Sequence, residues 1–287
     1  MGGAIASALC RARVEVIVWN RSPERAAALV TQGAVQVASA AAALSATPMT
    51  IMCVHDYDAA DSILQLPGVA QAIAGRTLVQ LSTGPASRAE SQSVWVRAQG
   101  GYFLAGGILA YPESIGHPGA LIVYSGDRFD EHQQTLEALG SSPQYLGASP
   151  TLAVGAYFSL SAFLIGALGL FFESSALARH YGVDIARYHE LARRVVSEVL
   201  SGMRDGERRI RTGDLDGRLA SIDLTIAGMQ EVCDSFHALG ISALQTESLV
   251  AQLRRASGRG RGKHDIASLA EMLWSERQAQ GSYGELP

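Results

Sequence analysis

The sequence predicts an α/β domain followed by an all-α domain, and three observations carry that prediction. Short apolar, β-branched runs alternate with helical segments over the first half of the chain. From Ser149 onward helical periodicity alone remains, and a charge-free stretch, residues 151 to 172, sits at the changeover. Strands alternating with helices indicate βαβ units and a mostly parallel sheet. The boundary is placed at that change, which divides the chain into residues 1–148 and 149–287.

In the first part, residues 14–19 (VEVIVW) read as a strand ending in Asn20-Arg21-Ser22-Pro23, with a helix over 23–32. Further strands are expected at 49–54 and 77–81, and apolar segments at 102–109 and 120–124. In the second part the periodicity predicts helices over 151–180, 184–204, 216–238, 243–256 and 264–277. A single helix over 151–180 is about 45 Å long. No globule of this size hides such a helix alone, so the sequence predicts a homodimer with interlocked helical halves.

Composition narrows the function. Of 287 residues, 17% are charged and 48% hydrophobic, enough for a sizeable core. The net charge of −4 gives no electrostatic reason to expect nucleic acid or an anionic membrane as partner. Cys10, Cys53 and Cys233 are too few and scattered for a disulfide framework or a zinc site. Cys10 and Cys53 read as buried thiols, and a cytoplasmic location is the simplest reading. The seven histidines lack metal-binding spacing, so no metal is expected. The basic run 254–263 has no interleaved aromatic and reads as a solvated loop. Residues 151–172 are long enough to span a bilayer. No Lys or Arg cluster flanks them, and a helix buried between subunits has the same composition, so a membrane span is not expected.

The opening Met1-Gly2-Gly3-Ala4-Ile5-Ala6-Ser7-Ala8-Leu9 looks like the end of a dinucleotide-binding fingerprint, GxGxMGxxxAxxL. Gly2 matches its third glycine, which lets a helix pack closely on a strand. An ordinary small-residue helix would read the same way. The strand and two glycines that open such a fingerprint do not precede Gly2. The expectation is therefore a Rossmann-type domain whose first, central strand is missing, with neighbours that lose ladder partners. The next strand ends in Asn20-Arg21-Ser22, with Arg25 one turn on. An acidic residue there would bind the ribose 2′-hydroxyl of NAD; arginine suits the 2′-phosphate of NADP. A solvated helix start is the alternative for both arginines. Val54, His55 and Asp56 end the strand at 49–54, and Ser82, Thr83 and Gly84 follow the one at 77–81. Ligands bind at such strand ends in open α/β sheets, so both groups are expected at the cofactor; simple strand-end turns are the alternative.

Longer runs carry a family resemblance. VWNRSPERAAAL (18–29), LSTGPASRAE (81–90), GILAYPESIGHPGALIVYSG (107–126) and GRGKHDIASLAEML (260–273) resemble the imine reductases, a branch of the β-hydroxyacid dehydrogenase superfamily. The resemblance implies NADPH, reduction of a small-molecule imine, and a reciprocally domain-swapped homodimer. Its active site would lie between one subunit's nucleotide domain and its partner's helices. Two departures stand out: the segment after LSTG is one residue short, and Ala105 stands where relatives often have Asp.

The related hydroxyacid dehydrogenases use a lysine early in the interdomain helix. This chain has one lysine, Lys263, far from that position, where it has Tyr157 instead. A phenol is protonated at neutral pH and can donate, so the resemblance makes Tyr157 the catalytic or substrate-orienting residue. An aromatic on an apolar helix face is the alternative. Leu109, Tyr111 and Pro112 are expected to line the substrate pocket, and family position adds Phe158, Ser161 and Ile165. Met203 and Met229 are expected from the partner subunit. Two other functions remain open at this point: a β-hydroxyacid dehydrogenase of the same fold, and a non-catalytic NADP-binding dimer.

Overall fold

A computed structural model describes residues 1–140, 142–217 and 220–279. The chain forms two compact units, Met1–Phe163 and Leu164–Pro287.

The first unit is built on parallel strands. It opens with α1 (Gly2–Arg11), β1 (Ile17–Val18), a 3₁₀ turn and α2 (Ala27–Val30), then β2 (Val35–Gln36), which pairs parallel with β1. After α3 (Ala40–Ala46) come β3 (Met49–Met52), α4 (Tyr57–Leu64), α5 (Val69–Ala72), β4 (Thr77–Gln80), α6 (Ala86–Ala98) and β5 (Tyr102–Leu109). The unit continues with β6 (Leu121–Gly126), α7 (Phe129–Glu137) and β7 (Gln144–Tyr145). Strands β3 to β7 form one sheet in sequence order, parallel throughout except for the antiparallel β5–β6 pair.

The sheet lies in two pieces, because β1–β2 and the five-stranded sheet are not hydrogen-bonded to each other. Side chains bridge them. Ile5 and Leu9 of α1 pack in one apolar cluster with Val16, Ile51 and Cys53. The strand expected over 14–19 shrinks to Ile17–Val18. Cys10 and Cys53 are half-buried rather than buried. Strand β7 carries no sequence signal beyond two residues and was not anticipated.

Helix α8 (Thr151–His180) runs unbroken for 30 residues, as its periodicity predicts. Its start is pinned to the sheet: the buried Ser125 hydroxyl on β6 accepts a hydrogen bond from the Ala153 N–H at 2.9 Å. Only Ala153 and Val154 of α8 are buried, while Phe163, Ile165 and Phe172 are more than half exposed. Among the described residues it is the one helix long and apolar enough to cross a membrane.

The second unit continues with α9 (Ile185–Thr212), α10 (Ile222–Ala238), α11 (Leu244–Ala256) and α12 (Ser268–Ala279). Three boundaries differ from expectation. Helix α9 runs on to Thr212, where Gly213 adopts a left-handed φ of 71° and ends it. Helix α10 starts at Ile222 rather than 216, because Ser221 caps it and residues 216 and 221 instead bridge His264 and Asp265. The same bridges hold residues 264–265 extended, so α12 begins at Ser268.

One carboxylate organises the α8–α11 junction within this unit. Glu173 accepts from the Gln245 N–H at 2.9 Å, the Thr246 N–H at 3.1 Å and the Thr246 hydroxyl at 2.7 Å. It thereby caps the N-terminus of α11 from another helix. The junction is tight, since a Cβ on Gly169 would collide with the Gln245 side-chain amide. Burial raises the Glu173 pKa, but the three hydrogen bonds outweigh it and hold the carboxyl below its usual range. The stabilisation is therefore present above the unfolded-state carboxylate pKa and is lost as pH falls through the lower folded value. Glu173→Gln should cost about 1–2 kcal/mol at pH 7, read by thermal or urea unfolding. The gap to the parent should narrow in acid; an equal gap at pH 3 and pH 7 would contradict this role.

Candidate functional site

The carboxyl ends of β3, β4 and β5 open onto a cleft of about 510 Å³, a volume typical of small-molecule sites. It is lined by the start of α1 (Met1, Gly2), by Cys53, Val54 and His55 beyond β3, by Leu81 to Gly84 beyond β4, by β5 residues, and by Val154 and Tyr157 of α8. No Asp, Glu, Lys or Arg is among the lining residues. Burial pushes the Cys53 thiol up, so it stays protonated, with the terminal ammonium acting weakly the other way. Such a cleft binds and orients but offers no carboxylate or lysine for acid–base work.

Each wall has a local cause. Helix α1 has no side-chain cap, so its first N–H groups remain available to an anion beside Met1 and Gly2. Gly2 sits where a Cβ would meet the Cys53 carbonyl at 3.2 Å, the close helix–strand approach its fingerprint position predicts. The β3 and β4 ends are tied together by the Val54 N–H donating to Ser82 Oγ at 3.0 Å and by a bridge between Asp56 and Thr83. Gly84 lies under the Tyr57 ring, with which a Cβ at that position would collide, so no larger residue fits. Gly107 plays the same part for Tyr157, whose Cβ would be 2.5 Å from a Cβ there. The Tyr157 ring is seated on that glycine, edge-on to Phe158 at 5.4 Å, and its hydroxyl makes no hydrogen bond among the described residues.

The structure thus brings Gly2, Val54, His55, Ser82, Thr83, Gly84 and Tyr157 together in one cleft. Asp56 is adjacent, but its carboxylate is used locally, accepting from the Ala59 N–H at 2.8 Å to cap α4. Asn20, Arg21, Ser22 and Arg25 follow β1 outside the lining, where Asn20 Oδ1 accepts from the Ser22 N–H at 2.9 Å and shapes the turn. Arg21 and Arg25 are exposed, and neither guanidinium has an ion-pair or hydrogen-bond partner among the described residues. Leu109, Tyr111, Pro112, Phe158 and Ser161 belong to the first unit but do not line the cleft; Tyr111 is 66% exposed. Ile165, Met203 and Met229 lie in the second unit. Sequence reasoning missed Cys53, Gly107, Ile108, Ala110 and Val154, which line the cleft. The paired glycines at 106 and 107 inside a strand were the available signal, since strand-interior glycine marks a close approach.

Comparison with known proteins agrees with this architecture. Residues 1–147 match the family model described as the NAD binding domain of 6-phosphogluconate dehydrogenase. Residues 149–275 match that of the NADPH-dependent reductive aminase-like C-terminal domain. An NADPH-dependent reductive aminase of Aspergillus oryzae is 26% identical over 278 residues, covering 94% of this chain and 93% of the relative. The structure of an imine reductase from Pseudomonas sp. superposes with a TM-score of 0.88 at 33% identity, covering 95% of this chain and 96% of that one. A reductive aminase from Aspergillus terreus, in complex with NADPH and ethyl levulinate, gives 0.86 at 30% identity and 95% coverage of both chains. Kinship of this extent across both halves, in a chain whose cleft presents a tyrosine and no lysine, makes it a member of the NADPH-dependent imine reductase family.

Proposed function

We propose that this protein reduces small imines to amines with NADPH, in the cytoplasm, as a homodimer with interlocked helical halves. The observation that carries the reading is Tyr157: a phenol whose hydroxyl has no hydrogen-bond partner among the described residues, lining a nucleotide cleft in which no Asp, Glu, Lys or Arg is a lining residue. NADPH, when bound, supplies the hydride to the imine carbon.

The chain's own groups hold the reactants and move the proton. The uncapped start of α1 and Gly2 receive the cofactor's charged centre, and the loops at 54–56 and 82–84 hold it along the strand ends. Arg21 and Arg25, without partners among the described residues, take the 2′-phosphate, with Asn20 and Ser22 forming the turn that presents them. Tyr157 Oη donates a hydrogen bond to the imine nitrogen and passes that proton to it as the carbon is reduced, and solvent water reprotonates the phenolate. Lys263, the one lysine of the chain, is exposed in the second unit with Asp223 as its neighbour at 3.9 Å. Leu109, Tyr111, Pro112, Phe158, Ser161 and Ile165 form the substrate side, with Met203 and Met229 contributed across the dimer.

The dimer rests on exposed apolar surface. Phe163, Ile165 and Phe172 on α8, and Val195, Val199 and Leu200 on α9, are all in water in the single chain. Burying such side chains stabilises by about 1.5–3 kcal/mol each, so a second copy of the same helices is a strong partner.

Three outcomes follow for the purified protein. NADPH should be oxidised with 2-methylpyrroline, while a β-hydroxy acid should give no reduction of NADP⁺; Tyr157→Phe should lower kcat about 10- to 100-fold with little change in the KM for NADPH. Turnover confined to the β-hydroxy acid would overturn the reading. Gly107→Ala should displace the tyrosine ring and lower kcat at least about tenfold in a protein that still melts cooperatively. Full activity in that variant would show that the ring's seat is immaterial. The Arg21→Ala, Arg25→Ala double variant should raise the KM for NADPH about tenfold or more and leave that for NADH unchanged; equal effects on both would remove the 2′-phosphate assignment.

A further inference from the structure

Two glutamines occupy core positions in the first unit. Gln80, the last residue of β4, is fully buried, and Gln92 on α6 is nearly so, at 3% exposure. A buried primary amide costs free energy unless each of its groups is hydrogen-bonded, and an apolar side chain would fill the same space without that requirement. Both amides are satisfied by each other and by a chain of partners that ends at the cleft. Gln80 Nε2 donates to Gln92 Oε1 at 2.8 Å, and Gln92 Nε2 donates to Asp61 Oδ1 on α4. Asp61 is held in turn by Arg88, which also reaches Asp58 at 2.7 Å. In the other direction, Gln80 Oε1 accepts from the Ser82 N–H at 2.9 Å, and Ser82 Oγ accepts from the Val54 N–H at 3.0 Å.

Val54 and Ser82 both line the cleft, on the two loops that close the ends of β3 and β4. The spacing of those loops is therefore set by a hydrogen-bonded chain that starts at a partly exposed ion pair and runs through the core. With its acceptor side occupied by Val54, the Ser82 hydroxyl has no acceptor of its own among the described residues and is free to donate to a ligand. We propose that Gln80, Gln92 and Asp61 are positioning residues for the cofactor: they fix the 54–56 and 82–84 loops at the spacing at which Val54 and Ser82 meet NADPH. The inference rests on the NADPH reading of the cleft. Neither glutamine touches the cleft, so both act through Ser82 and Val54.

The test compares Gln92→Leu, Asp61→Leu and Asp61→Asn in the full-length protein, measuring the Kd for NADPH by fluorescence titration, the melting temperature, and kcat and KM. The asparagine keeps an Oδ1 acceptor for Gln92 while discarding the charge that pairs with Arg88. Gln92→Leu and Asp61→Leu should weaken NADPH binding about tenfold and raise its KM in step, with kcat at saturating cofactor within about threefold of the parent. Asp61→Asn should melt lower than the parent yet stay within about threefold of its affinity. Affinity that tracks melting temperature across all three variants, or equal affinity in the two Asp61 variants, would overturn the proposal. If Gln92→Leu fails to fold, the Asp61 pair decides alone, because that side chain is 35% exposed. A parent protein with no NADPH affinity would instead refute the cofactor reading itself.

Discussion

The geometry of the cleft depends on how the first turns of α8 are held. A helix N-terminus that enters a protein core leaves N–H groups without intrahelical partners, and one of these, on Ala153, is satisfied by the buried Ser125 hydroxyl of β6. One turn along, Tyr157 lies against β5 at Gly107, where any side chain would collide with it. Gly107 pairs with Val123 across the antiparallel β5–β6 ladder, so the pin and the seat belong to the same rigid piece of sheet. The position of the phenol over the strand ends is thus a consequence of one hydroxyl and one missing side chain.

Beyond its first turns α8 has the opposite character. It is almost charge-free, and its large apolar side chains meet water along its length. The same composition would suit a membrane span, a core helix or a subunit interface, and hydropathy does not separate these. The amphipathic α9 carries a second exposed apolar row, including Val195, Val199 and Leu200, and a paired apolar surface on two successive helices is what an interlocking copy would cover. The one acidic group of α8, Glu173, is spent on the backbone of α11 rather than left in that surface.

Much of this was legible in the sequence, and the misses have physical causes. The strand-end groups at 54–55 and 82–84 and Tyr157 converge on one cleft, because β–α alternation sends the carboxyl ends of the parallel strands β3, β4 and β5 to the same side. Helix boundaries near residues 216 and 264 were not legible, since local periodicity cannot register that Asp216 and Ser221 pair with His264 and Asp265, more than forty positions away. Gly107 and Val154 were overlooked because their contribution is space and contact rather than chemistry. The buried Gln80–Gln92 pair was invisible for a related reason. Glutamine reads as a surface residue, and only the fold reveals that each amide is the other's partner.

In the proposed dimer a second copy of the chain closes the exposed face of α8, and imine reduction requires that closure. Sedimentation analysis of the purified full-length protein at micromolar concentration, with imine reduction followed across a dilution series, tests this directly. A two-chain mass is expected, with a specific activity that falls as the dimer dissociates. A monomer that reduces imines with undiminished specific activity would contradict it.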